Sequence, residues 1–584
     1  MQKIGIYHRP ESEDVQLRTA DTVKLRLRTA RDDMTAVTLI YDDPYLLNET
    51  HPGQQAPLVK VGHDDLFDYW EVTVQQVTKR LAYAFVLVDS DGTTALYGDQ
   101  RFYDQVAAVQ YDGGKFFKLP YFHVVDTNQA PAWVKETVWY QIFPERFANG
   151  DVTNDPTGTL SWDTALAPQV DSFYGGDLAG IIAHLDYLAD LGINGLYLTP
   201  IFKAPSNHKY DTVNYLAIDD MFGDEEALRT LVTAAHERGM RIMLDAVFNH
   251  IGDQSAIWQD VVINGRASKY ADWFHINDFP VGTADVTEAE FMAKRPYDTF
   301  AFTPHMPKWD TSIPAVQDYL INVGRYWLEN FDIDAWRLDV ANEVDHQFWR
   351  RFKTAMRAIK PDVYILGEIW HTAQPWLDGT QFDGVMNYAF MQHIKDFFLT
   401  RQMAPAELAN HLMHELMLYD DDTNQMMFNL LDSHDTARIK TIANNNEAVV
   451  QQLLAFMMMQ PGTPDIYYGT EVGMVGGDDP DNRRPMDWQL VTADNAMLRF
   501  TKQLIHIRRE WVAVLAAGTY QFETTSDSIT VIRQDQQTTI TAIFTLDDAI
   551  KVVVPATATI LLGQLGDQMT LAATSVLIYQ QSNH

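Results

Sequence analysis

The sequence predicts a (β/α)8 TIM barrel with a small inserted subdomain, preceded by a β-sandwich and followed by a smaller β domain. Three observations predict it. Between about residues 126 and 505, eight short apolar runs alternate with stretches of helical periodicity. Residues 1–125 and 506–584 carry instead short alternating runs separated by turn residues, the pattern of antiparallel sheets. Residues from about 251 to 310 are long and irregular, and such a connection inside a compact domain is usually a lid or a subdomain.

Taken in order, "TVKLRLRTA" (22–30), "AVTLIYDD" (36–43), "DYWEVTVQQV" (68–77) and "RLAYAFVLVDSDG" (80–92) read as strands of the N-terminal sandwich. Pro131 marks a linker. The barrel strands are expected at 138–143, 195–200, 241–248, 332–340, 363–368, 382–387, 427–433 and 464–469. In "DLAGIIAHLDYLADLG" (177–192), Leu178, Ile181, Ile182, Leu185, Leu188 and Leu191 form a helix-period stripe, and Gly192 suits the left-handed stop after it. "DEEALRTLVTAAHERG" (224–239) repeats the pattern and ends at Gly239. An open doubly wound sheet is the alternative, but eight regular units favour closure. Runs such as "SITVIRQ" and "TTITAIFTL" then open the C-terminal β domain.

The 584 residues suggest roughly three or four domains by length alone. Apolar residues make up 46% of them, enough for packed cores. Against 79 acidic residues stand 44 basic ones, for a net charge of −35, which disfavours nucleic acid and anionic membrane surfaces as partners. The absence of cysteine excludes disulfides, thiolate catalysis and Cys-ligated zinc. Neither a signal-peptide core nor an 18-residue apolar run occurs, so the expectation is a soluble cytoplasmic protein.

In "DIDAWRLDVANEV" (332–344), strand alternation points Arg337 and Asp339 the same way, with Trp336 and Leu338 on the other face. In a barrel, catalytic groups belong at the C-terminal ends of strands. Asp339 ends the fourth strand, Glu368 ends the fifth, and Asp435 follows the seventh. Each alone reads as a solvated rim residue or a structural ion pair. Together, at three strand ends, they suit cleavage of a glycosidic bond, which needs a charged nucleophile and a protonated acid. A guanidinium beside Asp339 is expected to hold it anionic, while an apolar approach and the Asp339 charge are expected to raise Glu368.

"DAVFNH" (245–250), "AWRLDVANEV" (335–344), "LGEIWH" (366–371) and "LLDSHD" (430–435) resemble the four signature segments of the α-amylase family of glycoside hydrolases. With "VWYQIFPERFANGD", the chain resembles the cyclomaltodextrinase, maltogenic amylase and neopullulanase branch over essentially its whole length. The resemblance implies Asp339 as nucleophile, Glu368 as general acid/base and Asp435 as transition-state stabiliser of a retaining reaction. It implies that His250 and His434 bind sugar hydroxyls, that Tyr210 stacks on the sugar, and that Glu343 and Trp370 lie on the acceptor side. Asp479 and Arg483 would hold the non-reducing end. Implied substrates are α-glucans: cyclodextrins, maltooligosaccharides, pullulan and starch.

The loop residues Asn149, Asp151, Asn154 and Asp155, with Gly175 and Asp177, offer the oxygen ligands that calcium takes, and the branch resembled carries such a site; an Asx-rich turn without an ion is the alternative. Any Ca2+ there would be structural, since the acid–base chemistry needs none. Members of the branch commonly pair so that one subunit's N-terminal domain walls the other's cleft, which implies a homodimer. One departure stands out: Trp309-Asp310 replaces the usual Leu-Asn in the insert, which bears on fine substrate preference. Rival readings are a glucosyl-isomerising enzyme on the same scaffold, and a non-catalytic glucan-binding protein that has lost the acids.

Overall fold

A computed structural model describes residues 1–123, 125, 130–282 and 286–583. The expected start of the barrel domain at 126, and residues 283–285 of the insert, lie outside the described residues. The chain divides into two compact units, one of Met1–Gln129 with Arg401–Asn424 and Gln521–Ile529, the other of Ala130–Thr400, Gln425–Tyr520 and Thr530–His584.

In the first unit, Val15–Leu17, Thr22–Ala30, Phe67–Gln75 and Val59–His63 form one antiparallel sheet. A second sheet is built on Met34–Asp42 and Leu81–Asp89. Strand alternation turns Val23, Leu25 and Leu27 toward Leu39, Phe85 and Leu87, which together make the buried core. The helix Pro405–Met417 belongs to this unit, a membership no local pattern announces. His414 Nδ1 lies 3.0 Å from Asp64 Oδ2, and Arg26 donates to the Met417 and Tyr419 carbonyls at 3.1 Å.

The second unit holds the barrel. Its strands are β1 Trp139–Ile142, β2 Gly195–Leu198, β3 Arg241–Ala246, β4 Ala335–Leu338, β5 Tyr364–Gly367, β6 Gly384–Val385, β7 Phe428–Asn429 and β8 Thr463–Tyr467. They pair in the order β6-β5-β4-β3-β2-β1-β8-β7, all parallel. A parallel bridge between Met386 and Phe428 joins the two ends and closes the cylinder. Trp139, Tyr197, Met243, Ala335, Tyr364, Leu366 and Phe428 fill its interior.

All eight strands lie within about two residues of where they were expected or inside the expected runs, but they are shorter. β4 keeps four of nine residues because left-handed residues bracket it, Asp332 at φ 54° and Val340 at φ 45°. The expected helix over 178–191 is broken at His184, whose ring stacks on Trp488 at 3.8 Å, and Gly192 ends it at φ 98°. Helix Ala496–Glu510 runs through the boundary expected at 505/506. Beyond it, Thr538–Thr545 and Thr559–Leu562 pair antiparallel with Val576–Ser582, a strand that no expected run included. No helix among the described residues is long and apolar enough to cross a membrane.

Candidate active site

Strand register builds the centre of the site. Asp245 on β3 lies directly across from Arg337 on β4, so both side chains enter the barrel mouth on one level. Arg337 is fully buried; its Nη1 lies 3.0 Å from both Asp245 oxygens and 2.8 Å from Asp339 Oδ1. Its Nη2 lies 3.0 Å from Glu368 Oε1. One planar guanidinium thus faces carboxyls carried by three consecutive strands. Tyr197 and Tyr210 donate their hydroxyls to Asp245 Oδ2 at 2.7 and 2.9 Å.

The charge balance corrects the expectation for Asp339. Burial, then the Glu368 charge, push its carboxyl well above the usual range, and Arg337 opposes this without winning. The guanidinium is shared: Asp245 also draws on it, yet burial still pushes that carboxyl up to about 6. One cation therefore does not offset the burial of Asp245 and Asp339.

Glu368 is held at both oxygens. The Trp370 indole N–H donates to Oε1 at 2.9 Å and the Val340 backbone N–H to Oε2 at 2.8 Å. Val340 is β-branched in the left-handed region, a costly conformation that the surroundings must impose. Trp370 is half exposed and stacks on Tyr388 at 3.7 Å with planes 8° apart, leaving one face of the indole open.

Asp435 faces the same centre from the loop after β7. Its Oδ2 is 3.2 Å from His434 Nε2, and its Oδ1 is 3.6 Å from Arg483 Nη2. Arg483 also pairs with Asp479 at 3.0 Å and donates to the His434 carbonyl at 2.8 Å. The Tyr210 ring lies parallel to His434, 6° between planes, with its hydroxyl 2.6 Å from Nε2. Gln141 Nε2 is 2.7 Å from Nδ1, so an amide donating there leaves the imidazole proton on Nε2, aimed at Tyr210 and Asp435. Burial pushes His434 well below the ordinary histidine value and His250 down to about 3, so both rings are neutral. His250 reaches the Tyr210 carbonyl at 3.2 Å and stacks on Phe300.

Asp339, Glu368, Asp435, Arg337, Tyr210, His434, Trp370, Asp479 and Arg483 therefore form one connected set, with His250 joined through Tyr210. Glu343 stands apart, exposed at the end of the turn Ala341–Glu343 after β4 and 2.8 Å from Lys308 Nζ. Sequence reasoning missed Asp245, Tyr197, Gln141, Val340 and Tyr388. Asp245 carried a usable signal, as an acid inside an otherwise apolar strand run. In the departure at Trp309-Asp310, Trp309 is buried, stacks on Phe274 at 4.6 Å and donates to the Tyr215 hydroxyl at 3.2 Å. Asp310 accepts the Ser312 N–H at 3.1 Å. Trp309 thus ties the insert to the strand Asn214–Ile218 through Tyr215.

In the calcium-candidate loop, the amide oxygens of Asn149 and Asn154 are buried without a hydrogen-bond partner. Asn149 Nδ2 donates to Asp155 Oδ1 at 2.8 Å, and a Cβ on Gly175, at φ 79°, would collide with that carboxylate. Two orphaned oxygens beside a carboxylate fit an oxygen-seeking ion. Asp177 is differently employed: it caps the helix Leu178–Ala183, and its oxygens accept from the N–H groups of Gly150, Asp151 and Gly180. Among the described residues no three His, Asp or Glu side chains converge on one metal position.

A family model described as alpha amylase, catalytic domain, matches residues 141–508, and one described as alpha amylase, N-terminal ig-like domain, matches residues 1–123. The chain belongs to the α-amylase family. As an α-amylase-family member it is a glycoside hydrolase, and its relatives come from the branch the motifs indicated. A cyclomaltodextrinase of Geobacillus thermopakistaniensis is 49% identical, over 91% of this chain and 88% of its own. The intracellular maltogenic amylase of Bacillus subtilis (strain 168) is 47% identical, over 90% of this chain and 88% of its own. A solved cyclomaltodextrinase structure superposes with a TM-score of 0.91 at 41% identity, covering 100% of both chains.

Proposed function

We propose that this chain is a retaining α-glucan hydrolase of the cyclomaltodextrinase, maltogenic amylase and neopullulanase type. It cleaves α-1,4 and some α-1,6 bonds in cyclodextrins, maltooligosaccharides, pullulan and starch, and transfers glycosyl units to sugar acceptors. The reading is carried by one observation: Asp339 and Glu368 meet on two nitrogens of a single buried guanidinium.

In this reading Asp339 attacks the anomeric carbon while Glu368 gives its proton to the departing glycosidic oxygen. Burial holds a proton in the cluster, and the reaction needs one. Positive charge developing on the sugar stabilises the Asp339 carboxylate, and Glu368 serves as the acid for the leaving oxygen. Asp435 and the neutral His434 and His250 hold the ring's hydroxyls, and Tyr210 supplies the flat surface under its C–H face. In the second half the proton returns from the attacking hydroxyl to Glu368 as Asp339 leaves.

Asn149, Asn154 and Asp155, with carbonyls of the neighbouring turns, would hold a calcium ion. Bound there, Ca2+ would supply positive charge that stabilises the loop, and no catalytic step uses it. We also propose a cytoplasmic homodimer; one relative's name places that protein inside the cell. The test is incubation with β-cyclodextrin and chromatography of the products. Maltose and glucose should appear, and Asp339→Asn should abolish their release; a ring left intact by the wild-type chain would refute the assignment.

A further inference from the structure

We infer that Lys308, carried by the inserted subdomain, is a positioning residue for Glu343 and thereby sets how the glycosyl-enzyme is divided between water and a sugar acceptor. The inference rests on the transfer activity proposed above and on the acceptor-side place of Glu343. Lys308 Nζ lies 2.8 Å from Glu343 Oε2 and also donates to Asn249 Oδ1. The Asn249 amide is in turn 3.2 Å from His250 Nδ1. The backbone of Lys308 is tied on both sides, by a bridge to His250 and by its N–H on the Asp298 carbonyl at 2.9 Å. The Lys308 side chain is 16% exposed and that of Glu343 45%. The cation is the anchored partner, and the carboxylate is the one being oriented.

Glu343 ends the short turn Ala341–Glu343 that follows Asp339 and Val340, and the Ala341 N–H donates to the Glu368 carbonyl at 3.2 Å. Its backbone is therefore tied to the strand end that carries Glu368, and Lys308 holds its side chain. In the second step, the bond from the anomeric carbon to Asp339 breaks and a bond to the incoming hydroxyl oxygen forms. The hydroxyl proton goes to Glu368, and Asp339 departs as a carboxylate. Water can enter in many orientations. A sugar acceptor must present one hydroxyl, and a carboxylate already held in place binds its other hydroxyls with less loss of rotamer freedom.

The experiment uses the full chain with maltotriose as donor and glucose as added acceptor, and follows transfer and hydrolysis products together. Lys308→Met should lower the transfer-to-hydrolysis ratio by roughly three- to fivefold, the worth of one partly exposed ion pair, and raise the glucose concentration giving half-maximal transfer. Lys308→Arg should keep the wild-type ratio. In a Glu343→Gln background, Lys308→Met should change the ratio no further. An unchanged ratio in a Lys308→Met protein of wild-type melting temperature would overturn the inference. So would effects of the two substitutions that simply add, or a wild-type chain that hydrolyses without transferring. A wild-type chain that releases no sugar would instead overturn the function on which the inference rests.

Discussion

Arg337 is one cation divided among Asp245, Asp339 and Glu368, and its planar fork is what allows two of its nitrogens to serve different strands. A lysine there offers a single point charge. Arg337→Lys should therefore lower kcat/KM on β-cyclodextrin by about a hundredfold through misplacement of the acids, with the chain still folded; activity within about threefold of wild type would contradict the shared-fork account. The same cluster sets a pH dependence. The Asp339 carboxyl is raised by burial and by Glu368, and in the proposed mechanism it must be ionised to attack, so activity should be lost as the pH falls through that raised value. The acid limb of kcat/KM should lie clearly above pH 4, the ordinary carboxylate range of about 4. A limb at or below that range would show that Arg337 prevails after all. His250, pushed down to about 3, adds no limb of its own near neutrality.

At the scale of elements, both ends of β4 are put to use. At its N-terminal end, Asp334 accepts from His236 at 2.7 Å and from Arg241, Lys360 and the Ile242 N–H at 2.9 Å, stitching β3 and β4 to the helical layer. Burial works against its charge, but His236 and Lys360 prevail and hold the carboxyl down at about 2. A depressed folded value contributes stability above the unfolded value near 4, and that contribution is lost as the pH falls toward 2. Asp334→Asn should cost about 2 kcal/mol at pH 7 and almost nothing at pH 2, read from urea midpoints; equal midpoints at pH 7 would refute the clamp. Much at this scale was legible beforehand. Alternating faces put Arg337 and Asp339 together, and apolar runs placed all eight strands. The partnership of Asp245 with Arg337 was not, because it is a cross-strand register, and register between parallel strands depends on barrel closure. The packing of Trp309 was not legible either, because nothing local reveals that it stacks on Phe274 and bonds to Tyr215. The helix Pro405–Met417 sits amid barrel residues in sequence but with the N-terminal strands in space, which periodicity cannot express.

For the whole molecule, the net charge of −35 favours solubility and repels other polyanions, while a neutral glucan meets no such barrier. The proposed homodimer predicts a sedimentation mass twice that of the 66.6-kDa chain; a single-chain mass at micromolar concentration would contradict it. The calcium proposal predicts that the ion at about a hundred times its dissociation constant adds about 2.7 kcal/mol of stability over chelator-treated protein. Asn149→Ala, which removes one orphaned oxygen, should abolish that gain, and an equal gain in the variant would place the ion elsewhere. In the proposed mechanism Asp339 attacks the sugar while Glu368 handles the proton. In Glu368→Gln, an α-maltosyl fluoride needs no acid to leave, but the ensuing ester lacks its base and should accumulate. Peptide mass spectrometry should then find one maltosyl unit on the peptide containing Asp339. Fluoride release without an adduct and with inverted product, or an adduct on another acid, would contradict the account.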